Sequence, residues 1–286
     1  MATAILLISC PDQRGLVAKI SNWVFAHNGN IIDADQHVDQ EAGLFLMRLE
    51  WDLADFSIPR EAIASEFQDL ATAIGLSWQL YFSDRVPRLA IFVSKQEHCL
   101  YDLILRQKAG EINAHIPVVI SNHRILEPIA HDFDINFHHI PITPETKLKG
   151  EGEQLELLRQ YQIDLVVLAK YMQILSTNFL QAFPEVINIH HSFLPAFPGA
   201  NPYQRAHQRG VKIIGATAHY VTEDLDEGPI IEQDVIRVSH RDTVASMIRK
   251  GKDLERIVLA RAVRLHLERR VLVYGQPEAR RTVIFE

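Results

Sequence analysis

Five short runs of almost unbroken apolar character recur along the chain with segments of helical spacing between them: RLAIFVS (88–94), IPVVIS (116–121), INFHHI (135–140), IDLVVLA (163–169) and VINIHH (186–191). A strand that is apolar at nearly every position has no face to offer water, so it belongs in a parallel sheet covered by helices on both sides. Residues 85–286 are therefore expected to form an α/β domain with a mostly parallel, Rossmann-like sheet. Two later strands, VKIIGATAHYV (211–221) and IIEQDVIRV (230–238), alternate more and are joined by the loop TEDLDEGP (222–229). A long helix over 242–270 follows despite Gly251, and KGEGEQ (149–154) reads as a surface loop.

Residues 1–84 follow a different rule. A strand (TAILLISC), a turn (PDQRG), an amphipathic helix over 16–28, strands over 29–39 and 44–53, a helix opened by Pro59 and a last strand (SWQLYF) give the order βαββαβ. That order builds a four-stranded antiparallel sheet with two helices on one face, the ferredoxin-like arrangement. SDRVPR (83–88) reads as the joint between the domains.

Charge and motif content remove several function classes. With 29 basic and 36 acidic residues the formal charge is −7, and no basic stripe is present, so nucleic acid is not an expected partner. The opening MATAILLISCPDQRG has neither the basic start of a signal peptide nor the length of a membrane span, which predicts a cytoplasmic protein without a membrane partner. Cys10 and Cys99 lack C-x-x-C spacing and read as buried thiols. No G-x-S-x-G elbow, P-loop or strand-led G-x-G-x-x-G occurs. The histidine pairs 138–139 and 190–191 match no zinc signature, and neighbours on a strand point to opposite faces, so no metal is expected. The basic tail RRVLVYGQPEARR reads as a solvated face.

The chemistry gathers in VINIHHSFLPAFPGA (186–200), where Asn188 and His190, two apart at a strand end, share a face. Together with VVLAKYMQIL (166–175) and ATAHYVTEDLDEGPIIEQ (216–233), this stretch closely resembles the 10-formyltetrahydrofolate-dependent formyltransferases. The first 84 residues, with DQRGLVA and NGNI, resemble ACT domains, and the whole chain resembles the formyltetrahydrofolate deformylase family, which joins the two. The resemblance implies a catalytic trio of Asn188, His190 and Asp226. A fixed, uncharged amide such as that of Asn188 can hold a developing oxyanion. The imidazole of His190 can carry a proton near neutrality, and Asp226 can serve it either as base or as charge partner.

The same resemblance implies folate contacts at Gln173, Ile174, Leu175, Thr222, Glu223 and Asp224, a pocket wall at Ser192, a supporting His219 and a cis bond at Leu194–Pro195. Read without it, Ile174 and Leu175 are ordinary core residues. In the N-terminal domain it implies an amino-acid effector bound near Asp12, Gly15, Asn28 and Gly29, and a homo-oligomer that pairs those domains; the glycines alone would serve tight turns. Glycinamide ribonucleotide transformylases, which are similar, hold the acceptor's phosphate in a Gly-Ser-Asn turn after the first strand, whereas RLAIFVS is followed here by KQEHCLYDL. A closed acceptor site leaves water as the acceptor. The expected reaction is thus hydrolysis of 10-formyltetrahydrofolate to formate and tetrahydrofolate, without a cofactor, supplying formate for purine biosynthesis and balancing the one-carbon pool. Formyl transfer to an amine and non-catalytic amino-acid sensing are the alternatives.

Overall fold

The computed structural model describes residues 2–195, 202–276 and 279–286. It divides into two compact units, Met1–Val86 with Glu268–Glu286, and Pro87–Leu267.

In the smaller unit β1 (Thr3–Pro11), α1 (Leu16–Ala26), β2 (Asn30–Asp39), β3 (Leu44–Asp52), α2 (Ile63–Ile74) and β4 (Ser77–Phe82) follow the expected order. The antiparallel sheet runs β2-β3-β1-β4, which is the ferredoxin-like arrangement. Alternate residues of β1, among them Leu6 and Ile8, pack with Ile20 and Val24 of α1 and Phe67 of α2. An antiparallel sheet of this size can leave its other face to water. Here that face is covered.

The cover comes from the chain's end, and it moves the domain boundary. Residues 268–286, assigned from sequence to the C-terminal domain, belong to the smaller unit. The segment read as a solvated basic tail holds β12 (Val271–Tyr274) and β13 (Arg281–Ile284), an antiparallel hairpin that brings Leu272 and Phe285 onto Leu7 and Leu46. Burying each such side chain stabilises by about 1.5–3 kcal/mol. Arg48, 2% exposed in the middle of β3, fastens the attachment. Its guanidinium donates to Asp33 and Glu50, each at 2.6 Å, and to the carbonyls of Arg269 at 3.1 Å and Glu268 at 3.4 Å. The arginines at 269–270 and 280–281 masked two apolar strands as a polar face.

The larger unit contains β5 (Arg88–Val93), α3 (His98–Lys108), β6 (His115–Ser121), α4 (Glu127–Asp132), β7 (Asn136–His139), α5 (Lys147–Gln160) and β8 (Leu165–Leu168). α6 (Thr177–Ala182), β9 (Val186–His190), α7 (Pro202–Arg209), β10 (Ile213–Tyr220), β11 (Ile230–Arg237) and α8 (Val244–Leu267) complete it. Among the described residues its sheet has seven strands in the order β11-β10-β9-β8-β5-β6-β7. β7, β6, β5, β8 and β9 are parallel, while β10 runs against β9 and β11 against β10. The chain winds outward from β5 to β7 and then returns to β8 on the other side of β5. Such a reversal opens a crevice beyond the carboxyl ends of the strands, the usual ligand site of this architecture.

One helix was hidden in the sequence. KGEGEQ lies inside α5 rather than in a loop. The helix buries Gly150, where Ile142 Cδ1 lies 2.5 Å from the place a Cβ would occupy, so the close approach excludes a side chain. It also buries Glu151, which accepts from the backbone N–H of Ser176 at 2.9 Å and from the Ser176 hydroxyl. Ser176 in turn caps α6 by accepting from Phe179 N. With glycine, carboxylate and amide buried before Leu158, the first half of the helix has no apolar period to read. Among the described residues no helix is long and apolar enough to cross a membrane.

Candidate active site

The crevice beyond β8 and β9 holds a cleft of about 290 Å³. Its first wall is the segment after β8. Ala169 donates to the Phe92 carbonyl, and Met172 N donates to Ser94 Oγ at 2.9 Å, while the buried Ser94 hydroxyl donates to Asn122 Oδ1 at 2.7 Å. The chain end of β5 thereby holds Gln173, Ile174 and Leu175 at the cleft. Leu175 is also core, at 7% exposure; Ile174, at 56%, is not.

β9 supplies the floor. Asn188 and His190 both line the cleft, as their spacing on one strand face requires. β10 lies antiparallel beside β9 with His219 opposite Asn188, and the Asn188 amide donates to His219 Nε2 at 3.2 Å. His219 Nδ1 donates to the Tyr220 carbonyl at 2.8 Å, so the ring is pinned from both ends. One of the two amide N–H groups of Asn188 is thus used for orientation and the other remains for a ligand. A register shift between Ala218 and His219 re-aims this part of β10. Gly228 closes the turn behind it: a Cβ there would lie 1.7 Å from the Tyr220 carbonyl oxygen.

Asp226 enters from the β10–β11 loop with φ 60°, a left-handed conformation that aspartate tolerates better than most residues. Its Oδ2 accepts from His190 Nδ1 at 3.1 Å, and its Oδ1 lies 3.7 Å from His219 Nε2. Hydrogen bonding from His190, with the His219 ring nearby, holds the carboxyl far below the usual range despite its burial. With Nδ1 committed to Asp226, His190 turns Nε2 inward, where it is buried with no hydrogen-bond partner among the described residues. An orphaned buried polar atom is costly unless something meets it, and in a cleft that something is a ligand. Thr222, Glu223 and Asp224 line the same cleft, with the Thr222 hydroxyl donating to the Asp224 carbonyl at 3.1 Å.

A formyl transferase family model matches residues 87–263, the span that carries all of these groups. The formyltetrahydrofolate deformylase of Synechocystis sp. is 62% identical over 283 residues, covering 99% of this chain and 98% of that one. The chain belongs to the formyltetrahydrofolate deformylase family. The crystal structure of a family member from Pseudomonas syringae pv. tomato superposes with a TM-score of 0.95 at 45% identity, covering 100% of this chain and 95% of that one. Glycinamide ribonucleotide transformylase 1 from Symbiobacterium toebii is similar over 73% of this chain and 98% of its own, with a TM-score of 0.66 at 33% identity.

After β5 the turn over residues 95–97 stays exposed or half-exposed, and the helix start that follows is buried. His98, in the first turn of α3, is buried and its Nε2 donates to Glu255 of α8 at 2.7 Å. Cys99, also buried, brings its sulfur within 4.8 Å of these donor atoms, and burial pushes its thiol pKa up. The three are donor types found in metal sites, but Glu255 is engaged by an imidazole, an ammonium and a phenol. Cys10 is buried as well.

Several expectations change. Ser192 is absent from the cleft lining; it borders a neighbouring hollow of about 180 Å³, and its carbonyl accepts from the Thr217 hydroxyl. Residues 196–200 of the 186–200 stretch lie outside the described residues, whereas Leu194–Pro195 is cis. His190 and His191 do not point apart. Their rings stack with centroids 4.8 Å apart and planes at 16°, because the strand ends at His190 and alternation ends with it. His138 and His139 lie away from the cleft, His138 Nε2 being 3.1 Å from the Tyr161 hydroxyl.

In the smaller unit the four residues expected to meet an effector are divided. Asp12 and Gly15 precede α1, whereas Asn28 and Gly29 follow it, and an 11-residue helix is about 16 Å long. Gly15, at φ 84°, starts the helix, and its carbonyl accepts from Lys19 N. Asn28, at φ 60°, donates to the Asp55 carbonyl at 2.8 Å. Gly29 lets Val24 and Phe56 approach closely. Sequence reasoning passed over Lys170, His191, Tyr203 and Glu255, although a lysine ending an apolar strand and a doubled histidine were visible signals.

Proposed function

We propose that the chain hydrolyses 10-formyltetrahydrofolate to formate and tetrahydrofolate. The observation that carries this reading is the buried Nε2 of His190, without a hydrogen-bond partner among the described residues, beside the fixed amide of Asn188, with Nδ1 of the same ring tied to Asp226. The pterin lies along Gln173–Leu175 and the Thr222–Asp224 loop, which line one cleft with the trio. Water oxygen adds to the formyl carbon, and the second N–H of Asn188 holds the developing oxyanion, a role worth about 3 kcal/mol. A carboxyl held so far below its usual range is a weak base. Asp226 therefore orients the water and carries the countercharge, while His190 takes up the proton at Nε2. That proton then passes to N10, the carbon–N10 bond breaks to release tetrahydrofolate and formic acid, and the acid gives its remaining proton to solvent and leaves as formate. Atoms and charges balance without a metal or a redox cofactor.

The first turn of α3 supports water as acceptor, since the helix start after the first strand carries a buried His98–Glu255 pair in place of a glycine-rich cradle. In metabolism the reaction supplies formate for purine biosynthesis and draws down the formylated folate pool. We further infer that the smaller units pair in a homo-oligomer, which can unite the two ends of α1 from different subunits into one amino-acid site. Formate release without any amine tests the main reading. Full rate with water alone supports hydrolysis; strict dependence on an added amine would make the protein a transferase, and no turnover at all would leave it a sensor.

A further inference from the structure

A line of buried polar contacts reaches the cleft from the interior of the larger unit, and the reaction as written uses none of it. Glu255, 2% exposed, accepts from His98 Nε2 at 2.7 Å, from the Tyr203 hydroxyl at 3.0 Å and from Lys170 Nζ at 3.4 Å. Although burial alone would raise its pKa, the His98 hydrogen bond and the Lys170 charge hold the carboxyl down to about 2. Gly251, one helical turn before Glu255, leaves room for Tyr203, whose hydroxyl lies 1.9 Å from where a Cβ would stand. Lys170 is itself 5% exposed, and its backbone sits at φ 65°. A buried lysine in the left-handed region persists only where its surroundings hold it, which is common at functional sites.

The ammonium has a second partner. Lys170 Nζ donates to Nδ1 of His191 at 3.3 Å, and His191 lies parallel to His190 with ring centroids 4.8 Å apart. An imidazole that accepts at Nδ1 is neutral with its proton on Nε2. Two charged rings at this separation would repel, and a cation at the edge of one of them favours its neutral form.

Building on the hydrolytic reading above, we propose that Lys170 is a positioning residue: anchored in the Glu255 carboxylate, it fixes His191 as the neutral Nε2–H tautomer stacked on His190, so that His190 alone of the pair carries the reaction's proton. The charged and titratable groups that face His191 are Lys170 after β8, His190 of β9, Glu255 of α8, Asp226 of the β10–β11 loop and Tyr203 of α7. Burial first, then Lys170 and then His190, outweigh the two carboxylates. Loss of the ammonium would let His191 compete for the proton needed by N10.

The test compares the unmodified enzyme with Lys170→Met/Glu255→Gln, which removes both buried charges together, and with Lys170→Arg. Heteronuclear NMR of labelled histidine should show His191 of the unmodified enzyme neutral and protonated at Nε2 from about pH 8 down to about pH 5. In the double variant the tautomer should mix and the ring should titrate at a higher pH than in the unmodified enzyme, burial still holding it below an exposed imidazole. Relative to the unmodified enzyme, its kcat should then fall more than about twofold between about pH 8 and about pH 5, with KM changed less than about twofold, and Lys170→Arg should restore the profile. An unchanged His191 tautomer, or a kcat loss equal at every pH, would overturn the proposal. The NMR arm needs no turnover. A chain that releases no formate yet keeps Lys170-dependent His191 tautomerism would refute hydrolysis and support the placement of Lys170.

Discussion

In the larger unit, residues from two strands and a loop meet: Asn188, His190, His219 and Asp226 touch one another around a single cleft. In the smaller unit, residues that also look like a site remain at the two ends of α1, each engaged where it stands. The difference lies in what each motif is made of. An amide, two imidazoles and a carboxylate carry chemistry, and strand alternation with cross-strand register aims them at one place. Gly15 and Asn28 supply positive φ, which the local turn consumes whatever else happens there.

That contrast is open to direct attack. The largest effect belongs to the cleft: His190→Ala or Asp226→Asn should lower the rate of formate release by about 10³-fold with the circular dichroism spectrum unchanged, and Asn188→Ala by about 10²-fold to 10³-fold. Asp12→Ala, tested without added amino acids, should leave the rate within about twofold; a collapse comparable to Asp226→Asn would erase the distinction between the units.

Next comes the hairpin that covers the smaller unit's sheet. Phe285 is 1% exposed, and Phe285→Ala should remove about 3–5 kcal/mol in chemical denaturation. A loss under about 1 kcal/mol would return the tail to the solvated face read from sequence.

Acid should act first on the larger unit. Burial, followed by the Lys170 charge, pushes the His191 pKa down to about 4. Below its ordinary value near 6.5, the unfolded chain takes up a proton that the folded ring refuses, so stability declines as pH falls from about 6.5 to about 4. The carboxyls work in a lower window. Asp226 and Glu255, both depressed, contribute stability above about pH 4.5 and lose it only below that. Melting temperatures at pH 7 and pH 5 should therefore differ less in His191→Asn than in the unmodified chain; equal differences would remove His191 from the account.

The smallest effect is expected at Gly15→Ala. Nothing stands within 4 Å of the added Cβ, so only the backbone at φ 84° objects, at about 1 kcal/mol.

Most of this architecture could be read from residue patterns, for reasons that also explain the failures. Apolar runs such as LVVL in β8 and ILLI in β1 declare their burial directly, and the NIH spacing declares a shared face. α5 stayed hidden because its buried face is Gly150, Glu151 and Gln154 before the single apolar Leu158. The terminal hairpin stayed hidden because arginines flank each of its strands, although Arg48 needed the carbonyls at 268 and 269 to satisfy its charge. Lys170 and Glu255 are 85 positions apart, and only the winding order of the sheet brings them together. Burial of a charge, unlike burial of an apolar run, leaves no local periodicity.

The central claim is that an amide, an imidazole and a carboxylate deliver water to a formyl carbon. Turnover of 10-formyltetrahydrofolate in isotopically labelled water, with no amine present, measures this directly. The account predicts formate carrying one oxygen atom from the solvent, formed at full rate by the unmodified chain and slowed about 10³-fold by Asp226→Asn. Formate that appears only when an amine is supplied, or labelled formate released at equal rates by both proteins, would contradict it.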